Sequence, residues 1–288
     1  MSTEIGRILD EPRRLSIHSV FDSAVNLRAG RRLVTCTTRA ISVPNGLEMA
    51  PSDLAGLQRL RFTTPREVLE WSPDGRVLAS RTSAMVIAST RDTLAFETTL
   101  PAATGDDLHG PATELLAHLA RTRARTGLGC DWSALANDVA LTSAAKSLAA
   151  GRADEAVTHW LGRGPGLTPS GDDVLAGMIT ALRFVGAVDP SRIGPLRESV
   201  DAAAGRLTTD LSAEYLHYAC RGMAAGMVRD MLVALDRSDA TGVLDALDLL
   251  GRHGDTSGMD CALGIVLALR HAGAGSPPGR RHDRFAPR

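Results

Sequence analysis

The chain has 288 residues, 44% of them apolar and 23% charged, which is typical of a soluble globular protein with a large buried core. A net charge of −1 and 3% aromatic residues give no indication of a nucleic-acid-binding or membrane-binding surface. Four cysteines without a C-x-x-C pair favour reduced thiols, and together with the absence of a signal-peptide pattern they predict a cytoplasmic protein.

Short runs rich in β-branched and aliphatic residues, separated by turn signals, predict a β-rich domain over residues 1–105. Strands are predicted at 14–21, 31–37, 68–71, 76–79, 85–89 and 93–100. The sequence Ser72-Pro-Asp-Gly75 predicts a hairpin turn between two of them. We therefore expect a mostly antiparallel domain, either a small barrel or a sandwich.

From Pro111 the apolar spacing becomes helical and predicts an all-helical domain over 106–272, which makes the fold class α+β. Helices are predicted at 113–125, 132–150, 153–161, 170–185, 189–207, 213–235, 240–250 and 257–271. The Gly- and Pro-rich segment 273–288 is predicted to be a disordered tail.

The most informative stretch is 163–183, where a Gly- and Pro-rich loop ends directly in a helical pattern. Ser170 is a predicted N-cap, and Asp173 three residues later completes a capping box. The same pattern, S-G-x-D-x-x-x-G-x-x-x-A-L-R, recurs 87 residues later, where Ser257, Asp260 and Gly264 correspond to Ser170, Asp173 and Gly177. We expect two related helices that cross at the two glycines and share one pocket at their starts.

Helix caps stabilise a protein by about 0.5–2 kcal/mol and explain the serines and aspartates of both copies. They do not explain the rigid loop before the first copy or the polar residues before the second. Hydroxyl-bearing loops at helix N-termini are suited to small anions, because free N–H groups and a positive dipole end face the ligand. The candidate substrate-binding residues are Gly164, Gly166, Thr168, Ser170, Gly171, Thr256, Ser257, Gly258, Asp260 and, on a predicted short helix or turn, Asn26.

A second interpretation uses the carboxylates. Asp172, Asp173 and Asp260 are candidate ligands of a divalent cation such as Mg²⁺ that bridges a substrate phosphate. Asp172 and Asp173 are also candidate catalytic residues, together with His253 as a base or a hydrogen-bond donor. Asp172 is the more informative carboxylate, since the capping box already accounts for Asp173. No nucleophile–base pair and no P-loop ending are evident.

The string Gly164-Pro-Gly-Leu-Thr-Pro-Ser-Gly-Asp-Asp173, with Thr256-Ser-Gly-Met-Asp260 and the segment 19–27, resembles a bacterial family long labelled as a domain of unknown function. That family includes one subunit of the anaerobic oxamate carbamoyltransferase of allantoin degradation, a purine-catabolism enzyme. The resemblance runs from about 19 to 271. It implies carbamoyl transfer between oxalurate and phosphate, giving oxamate and carbamoyl phosphate, in a hetero-oligomer with other subunits. The alternatives are a non-catalytic assembly subunit and a metal-dependent hydrolase that uses the aspartates.

Overall fold

The structure is a computed structural model that describes residues 1–38, 42–63, 68–74, 77–80, 86–89, 96–105, 107–188 and 190–272. An N-terminal sheet is followed by a region built of helices, so the predicted α+β class is confirmed. The predicted disordered tail over 273–288 and the turn residue Gly75 lie outside the described residues. The domain limits drawn at 105 and 272 stay a prediction.

The described strands form one seven-stranded sheet in the order β4-β3-β2-β1-β5-β6-β7, which curls into an open half-barrel. Its strands are β1 Arg13–Val20, β2 Ala24–Ala29, β3 Arg32–Thr37, β4 Gly46–Glu48, β5 Val68–Ser72, β6 Val77–Ser80 and β7 Val86–Ser89. All neighbouring strands are antiparallel except β3 and β4. The predicted hairpin is confirmed, because Ser72 pairs with Val77 across β5 and β6.

Four elements of this region were not predicted: strands β2 and β4 and two helices, α1 (Thr3–Ile8) and α2 (Pro51–Thr63). The helix or turn expected around Asn26 is strand β2 instead, because Val25 and Leu27 alternate along it and are buried in the sheet's core. The strand expected over 93–100 is also wrong for its described part. Residues 96–100 make only isolated bridges, at Phe96 and Thr99.

The described helices that follow are α3 His109–Thr122, α4 Trp132–Asn137, α5 Val139–Ala149, α6 Ala153–Trp160, α7 Ser170–Phe184, α8 Pro190–Leu207, α9 Asp210–Cys220, α10 Gly226–Asp236, α11 Ala240–Gly251 and α12 Ser257–His271. Two predicted helices are each divided in two. Asp138 separates α4 from α5 by accepting a hydrogen bond from Leu141 N–H at 2.9 Å, and Gly222, with a φ of 70°, lies between α9 and α10. Among the described residues, no helix is both long and apolar enough to cross a membrane.

Buried ion pairs fix the sheet against the helices. Arg32 Nε on β3 donates to Glu214 on α9 at 2.9 Å, and Glu214 also accepts from Leu33 N–H at 3.0 Å. Glu4 on α1 pairs with Arg221, directly after α9. Because Glu214 is buried, loss of Arg32 would leave its charge without this ion pair in the interior, whereas Glu4 also pairs with Arg7 at 3.3 Å. These contacts set the position of α9, which forms one wall of the candidate site.

Helices α7 and α12 cross in direct backbone contact at two glycines. A Cβ on Gly177 would lie 2.1 Å from Cys261 O, and a Cβ on Gly264 would lie 2.0 Å from Val174 O. Only glycine permits such an approach. Cys261 and Val174 are themselves related by the 87-residue offset, so the contact is reciprocal, as a local twofold axis requires.

The repeat extends into the segments that precede the two helices. Gly171 N–H donates to Arg163 O at 2.8 Å, and Gly258 N–H donates to His253 O at 3.2 Å. The N–H groups of Arg163 and His253 donate in turn to carbonyls in the last turns of α6 and α11, at 3.2 and 3.0 Å. The chain therefore contains two helix–loop–helix units, and the loop of the first, 161–169, is four residues longer than that of the second, 252–256.

The crossing can be tested with Gly177→Ala and Gly264→Ala. Each is expected to lower the free energy of unfolding by about 1–3 kcal/mol, because a methyl group must push the two helix backbones apart. Gly205→Ala in α8 is the matched control, since a Cβ there meets nothing within 4 Å. It should stabilise the protein by about 0.5–1 kcal/mol. Chemical denaturation measures all three; equal effects at Gly177 and Gly205 would contradict the crossing.

Candidate functional site

The candidate site lies where the starts of α7 and α12 meet. Thr168 Oγ1 and Ser257 Oγ are 2.6 Å apart and share a hydrogen bond between the two segments. Ser170 and Thr256 meet at Gly127, where a Cβ would lie 1.9 Å from Ser170 Oγ and 3.0 Å from Thr256 Oγ1. The structure therefore places the two S-G-x-D segments side by side.

The serines do not cap their helices. Ser170 and Ser257 are the first helical residues of α7 and α12, and the residue before each makes no side-chain cap hydrogen bond. The predicted capping boxes with Asp173 and Asp260 are therefore wrong. Instead, each serine faces the aspartate of the opposite helix. Hydrogen bonding from the Ser257 hydroxyl works to lower the pKa of Asp173, and hydrogen bonding from the Ser170 hydroxyl works to lower the pKa of Asp260.

Asp172 has a structural role that the sequence argument missed. It is 1% exposed, its Oδ1 accepts from Gly162 N–H at 2.6 Å, and its Oδ2 accepts from the Thr208 hydroxyl. It thus ties the end of α6 to the connection between α8 and α9. The premise that Asp172 has no structural duty, which singled it out for chemistry, is wrong.

Asp260 is enclosed. Its side chain is 0% exposed, and its Oδ1 accepts from Gly127 N–H at 2.9 Å. No hydrogen bond of good geometry reaches its Oδ2 among the described residues, although the hydroxyls of Thr256 and Ser170 lie close enough to lower its pKa. A turn between α3 and α4 therefore fills the space in front of Asp260.

Asp173 faces open space. Its side chain is 6% exposed, and its Oδ2 is buried without a hydrogen-bond partner in the described part of the chain. It lines a cavity of about 80 Å³, together with His253 and Ser257 at the polar end. Because a single water needs about 10–15 Å³ by this measure, the cavity has room for a small molecule.

Burial raises the pKa of Asp173 well above its usual range, the Ser257 hydroxyl acts in the opposite direction, and the charges of Asp260 and Asp172 raise it further. Burial also raises the pKa values of Asp172 and Asp260. All three carboxyl groups lie in the first turns of two helices, where the dipoles favour negative charge. The protein's own carboxyl groups therefore occupy the positions that the sequence analysis assigned to a bound anion.

The other titratable groups of the cavity are neutral at pH 7. Burial lowers the pKa of His253, which favours an uncharged imidazole that can donate or accept a hydrogen bond. Burial and the charge of Asp173 raise the pKa of the Cys261 thiol, so Cys261 is not a reactive thiolate. Polar contact in the cavity therefore depends on oxygen and imidazole atoms.

Of the four candidate glycines, Gly258 also lines the cavity, and the other three do not. Gly164 and Gly166 lie in the exposed loop before α7, with φ values of 116° and 93°. Gly171 and Gly258 pack directly against the preceding helix. A Cβ on Gly171 would lie 2.2 Å from Trp160 O, and a Cβ on Gly258 would lie 1.9 Å from Leu250 O. Their role is close packing of each helix–loop–helix unit.

Asn26 was a candidate ligand contact, and the structure gives it another role. Its Nδ2 donates to Ser19 Oγ at 2.9 Å, and its Oδ1 accepts from Thr35 Oγ1 at 2.7 Å. It is fully buried inside the sheet and does not line the cavity. Its hydrogen bonds join three neighbouring strands, which explains a buried amide without any ligand.

Sequence reasoning missed Tyr215 and Tyr218 on α9, which both line the cavity. They are the only two tyrosines of the chain. Burial and the charge of Asp173 raise the pKa of Tyr215, and the Tyr218 hydroxyl is buried without a hydrogen-bond partner among the described residues. Two tyrosines on one face of a helix, in a chain poor in aromatics, were the available signal.

The proposed metal ligands do not converge. Within the described residues, no group of three or more His, Cys, Asp or Glu side chains is arranged to hold a metal ion. Asp172 binds Gly162 and Asp260 binds Gly127, while Asp173 faces the cavity. Two of the three carboxyl groups thus have backbone partners of their own, and the third faces the cavity.

Residues 160–269 match the family described as oxamate carbamoyltransferase subunit AllH. Over this stretch the chain is similar to that family, and the resemblance drawn from the G-L-T-P-S-G-D-D string is confirmed. The matched stretch contains the starts of both α7 and α12. No solved structure matches the chain.

The structural role of Asp172 predicts a stability defect. Asp172→Ala should lower the free energy of unfolding by about 1.5–3 kcal/mol, because hydrogen bonds to a buried carboxylate are lost. Thr208→Val removes one of the donors and leaves the size of the side chain unchanged. Denaturation of both single variants and the double variant should give a coupling energy of about 0.5–3 kcal/mol. Simple additivity would contradict the direct contact.

The raised pKa of Asp173 predicts a pH-dependent effect of Asp173→Asn. In the folded protein Asp173 keeps its proton above about pH 4, where the unfolded chain has lost it. The stability linked to this proton is complete below the unfolded pKa and is lost as pH rises through the folded pKa. The melting temperature of Asp173→Asn relative to that of the wild type should therefore increase as pH rises from 5 to 8.

Asp210→Asn is the control with the opposite sign. Its contacts with Arg28 and His18 lower the pKa of Asp210, so this carboxylate stabilises the protein above its unfolded pKa. The variant should lose stability relative to the wild type as pH rises towards the unfolded pKa of about 4, and its difference from the wild type should stay constant from pH 5 to 8. If the two variants had the same pH dependence, the unpartnered environment of Asp173 would be contradicted.

Proposed function

We propose that the chain is a subunit of an oxamate carbamoyltransferase-like enzyme, and that the cavity beside Asp173 binds its small carbamoyl substrate. The family match supports the enzyme class, because residues 160–269 include the helix starts that build the cavity. The reaction is carbamoyl transfer between oxalurate and phosphate. The partners are the other subunits of a hetero-oligomer in the cytoplasm.

One observation carries the assignment of the cavity: Asp173 Oδ2 is buried, lacks a hydrogen-bond partner in the described part of the chain, and belongs to a side chain that lines open space. An unsatisfied buried polar atom costs about 1–3 kcal/mol. Sites that contact a ligand commonly accept such a cost, because the ligand supplies the missing partner. The apolar wall from Met227 and Val228 on α10 supports the same reading, since it removes water around the carboxyl group.

The chemistry that fits this cavity is direct transfer between two bound substrates. A phosphate oxygen attacks the carbamoyl carbon of oxalurate, the bond from that carbon to the oxamate nitrogen breaks, and the phosphate O–H proton passes to that nitrogen. The products are carbamoyl phosphate and oxamate. No covalent enzyme intermediate is needed, which agrees with a protonated Cys261. In this proposal Asp173 and Ser257 hold the carbamoyl group, and the neutral His253 relays the proton.

Ligand-induced stabilisation of the purified chain tests the site. Oxalurate, oxamate, carbamoyl phosphate and phosphate are compared by thermal melting, since a ligand at 100 times its Kd adds about 2.7 kcal/mol to stability. Ala224→Leu fills the cavity while it keeps the carboxyl group, and should abolish the shift. Asp210→Asn, outside the cavity, should retain it. In the complex reconstituted with its partner subunits, Ala224→Leu should lower carbamoyl transfer at least about tenfold.

Three results would overturn this proposal. Binding and transfer that survive Ala224→Leu would place the substrate elsewhere. No shift with any ligand, combined with unchanged transfer in the variant complex, would indicate an assembly subunit. A shift that requires Mg²⁺, measured in a separate arm with and without the ion, would assign the aspartates to a metal-dependent reaction instead.

A further inference from the structure

The two aspartates of the repeat, Asp173 and Asp260, occupy equivalent positions in their helix–loop–helix units. Each lies in the first turn of its helix, and each has the serine of the other unit beside it. The crossing at Gly177 and Gly264 is reciprocal. What binds one carboxyl group is therefore a guide to what suits the other.

Each helix start with its aspartate, Asp173 or Asp260, forms one half-site. The two half-sites differ in what lies next to the carboxyl group. Asp260 Oδ1 receives the backbone N–H of Gly127 at 2.9 Å. The fit is tight, because a Cβ on Gly127 would lie 1.9 Å from Ser170 Oγ and 3.1 Å from Asp260 Oδ2. Among the described residues no backbone N–H takes the equivalent position beside Asp173. The Oδ2 atoms of both aspartates lack a hydrogen-bond partner there, but only the side chain of Asp173 lines the cavity.

We infer that Asp173 accepts an amide N–H from the ligand, as Asp260 accepts the amide N–H of Gly127. This inference rests on the proposed function and specifies the orientation of the substrate. The carbamoyl or carboxamide end, –CO–NH₂, faces Asp173, and the anionic end points away from it. The ligand class is a small primary amide or ureido compound that carries an acidic group at its other end.

The charges of the cavity support this orientation. Among its described lining residues there is no arginine or lysine, and burial keeps His253 neutral. A carboxylate or phosphate placed there would leave water for a partly apolar space, without a cation to offset its charge. An N–H group has the opposite polarity, and Asp173 can accept from it.

Two matched ligand pairs test the inference, because they differ in the amide nitrogen. Oxamate is compared with oxalate, and carbamoyl phosphate with acetyl phosphate, in which a methyl group replaces –NH₂. Isothermal titration of the full chain should give Kd values at least about tenfold lower for the amide member of each pair, the effect of supplying a partner to one buried, unsatisfied polar atom. In Asp173→Asn this preference should fall to less than about threefold.

Asp260→Asn is the matched control. It alters the contact with Gly127 and should lower the melting temperature, while the preference for the amide ligands stays as in the wild type. Equal affinity for both members of each pair in the wild type would overturn the orientation and leave the proposed function standing. If none of the four compounds bound, or if Ala224→Leu had no effect, the cavity itself would be wrong. A preference that disappears in Asp260→Asn and not in Asp173→Asn would reverse the two half-sites.

Discussion

The candidate site depends on the backbone contact of α7 and α12 at Gly177 and Gly264. With a side chain at either glycine, the helices would stand at the ordinary separation of about 8–10 Å. The serine hydroxyls would then lie too far from the carboxyl groups of the opposite helix. Because the contact is reciprocal, it brings two acidic helix starts into one small volume. The raised pKa of Asp173 follows from this crowding together with burial.

Two of the unsatisfied buried polar groups among the described residues lie beside the cavity. Asp173 Oδ2 and the Tyr218 hydroxyl both lack partners within the described residues, and both belong to side chains that line the cavity. Tyr218 is held in place by Arg32, whose guanidinium lies 5.0 Å from the ring centroid and pairs with Glu214. The ion pairs between sheet and helices thus fix the position of α9, so that the side chain of Tyr218 lines the cavity.

The crossing of α7 and α12 could be predicted from the sequence, but the cavity could not. A glycine repeated at the same offset was sufficient to predict where α7 and α12 meet, because a close backbone contact leaves no room for the Cβ of any other residue type. The serines and aspartates were misread as caps, because capping and contact across helices select the same short polar side chains. The place of Tyr215 in the cavity could not be predicted, since the position of α9 depends on Arg32, which lies far away in the sequence. Asn26 was misplaced because strand β2 buries an amide among its apolar residues.

The difference between the two units explains why one half-site is open. The counterpart of Asp172 is Met259, a buried apolar residue, so only the first unit has the carboxylate that binds Gly162 and Thr208. The first unit also has the longer loop, and Asp172 anchors the start of that loop. In the second unit a shorter loop needs no such anchor, and the peptide at Gly127 closes the space before Asp260. Residues that the S-G-x-D pattern does not fix, at its variable position, in the preceding loop and at Gly127, therefore distinguish a filled half-site from an open one.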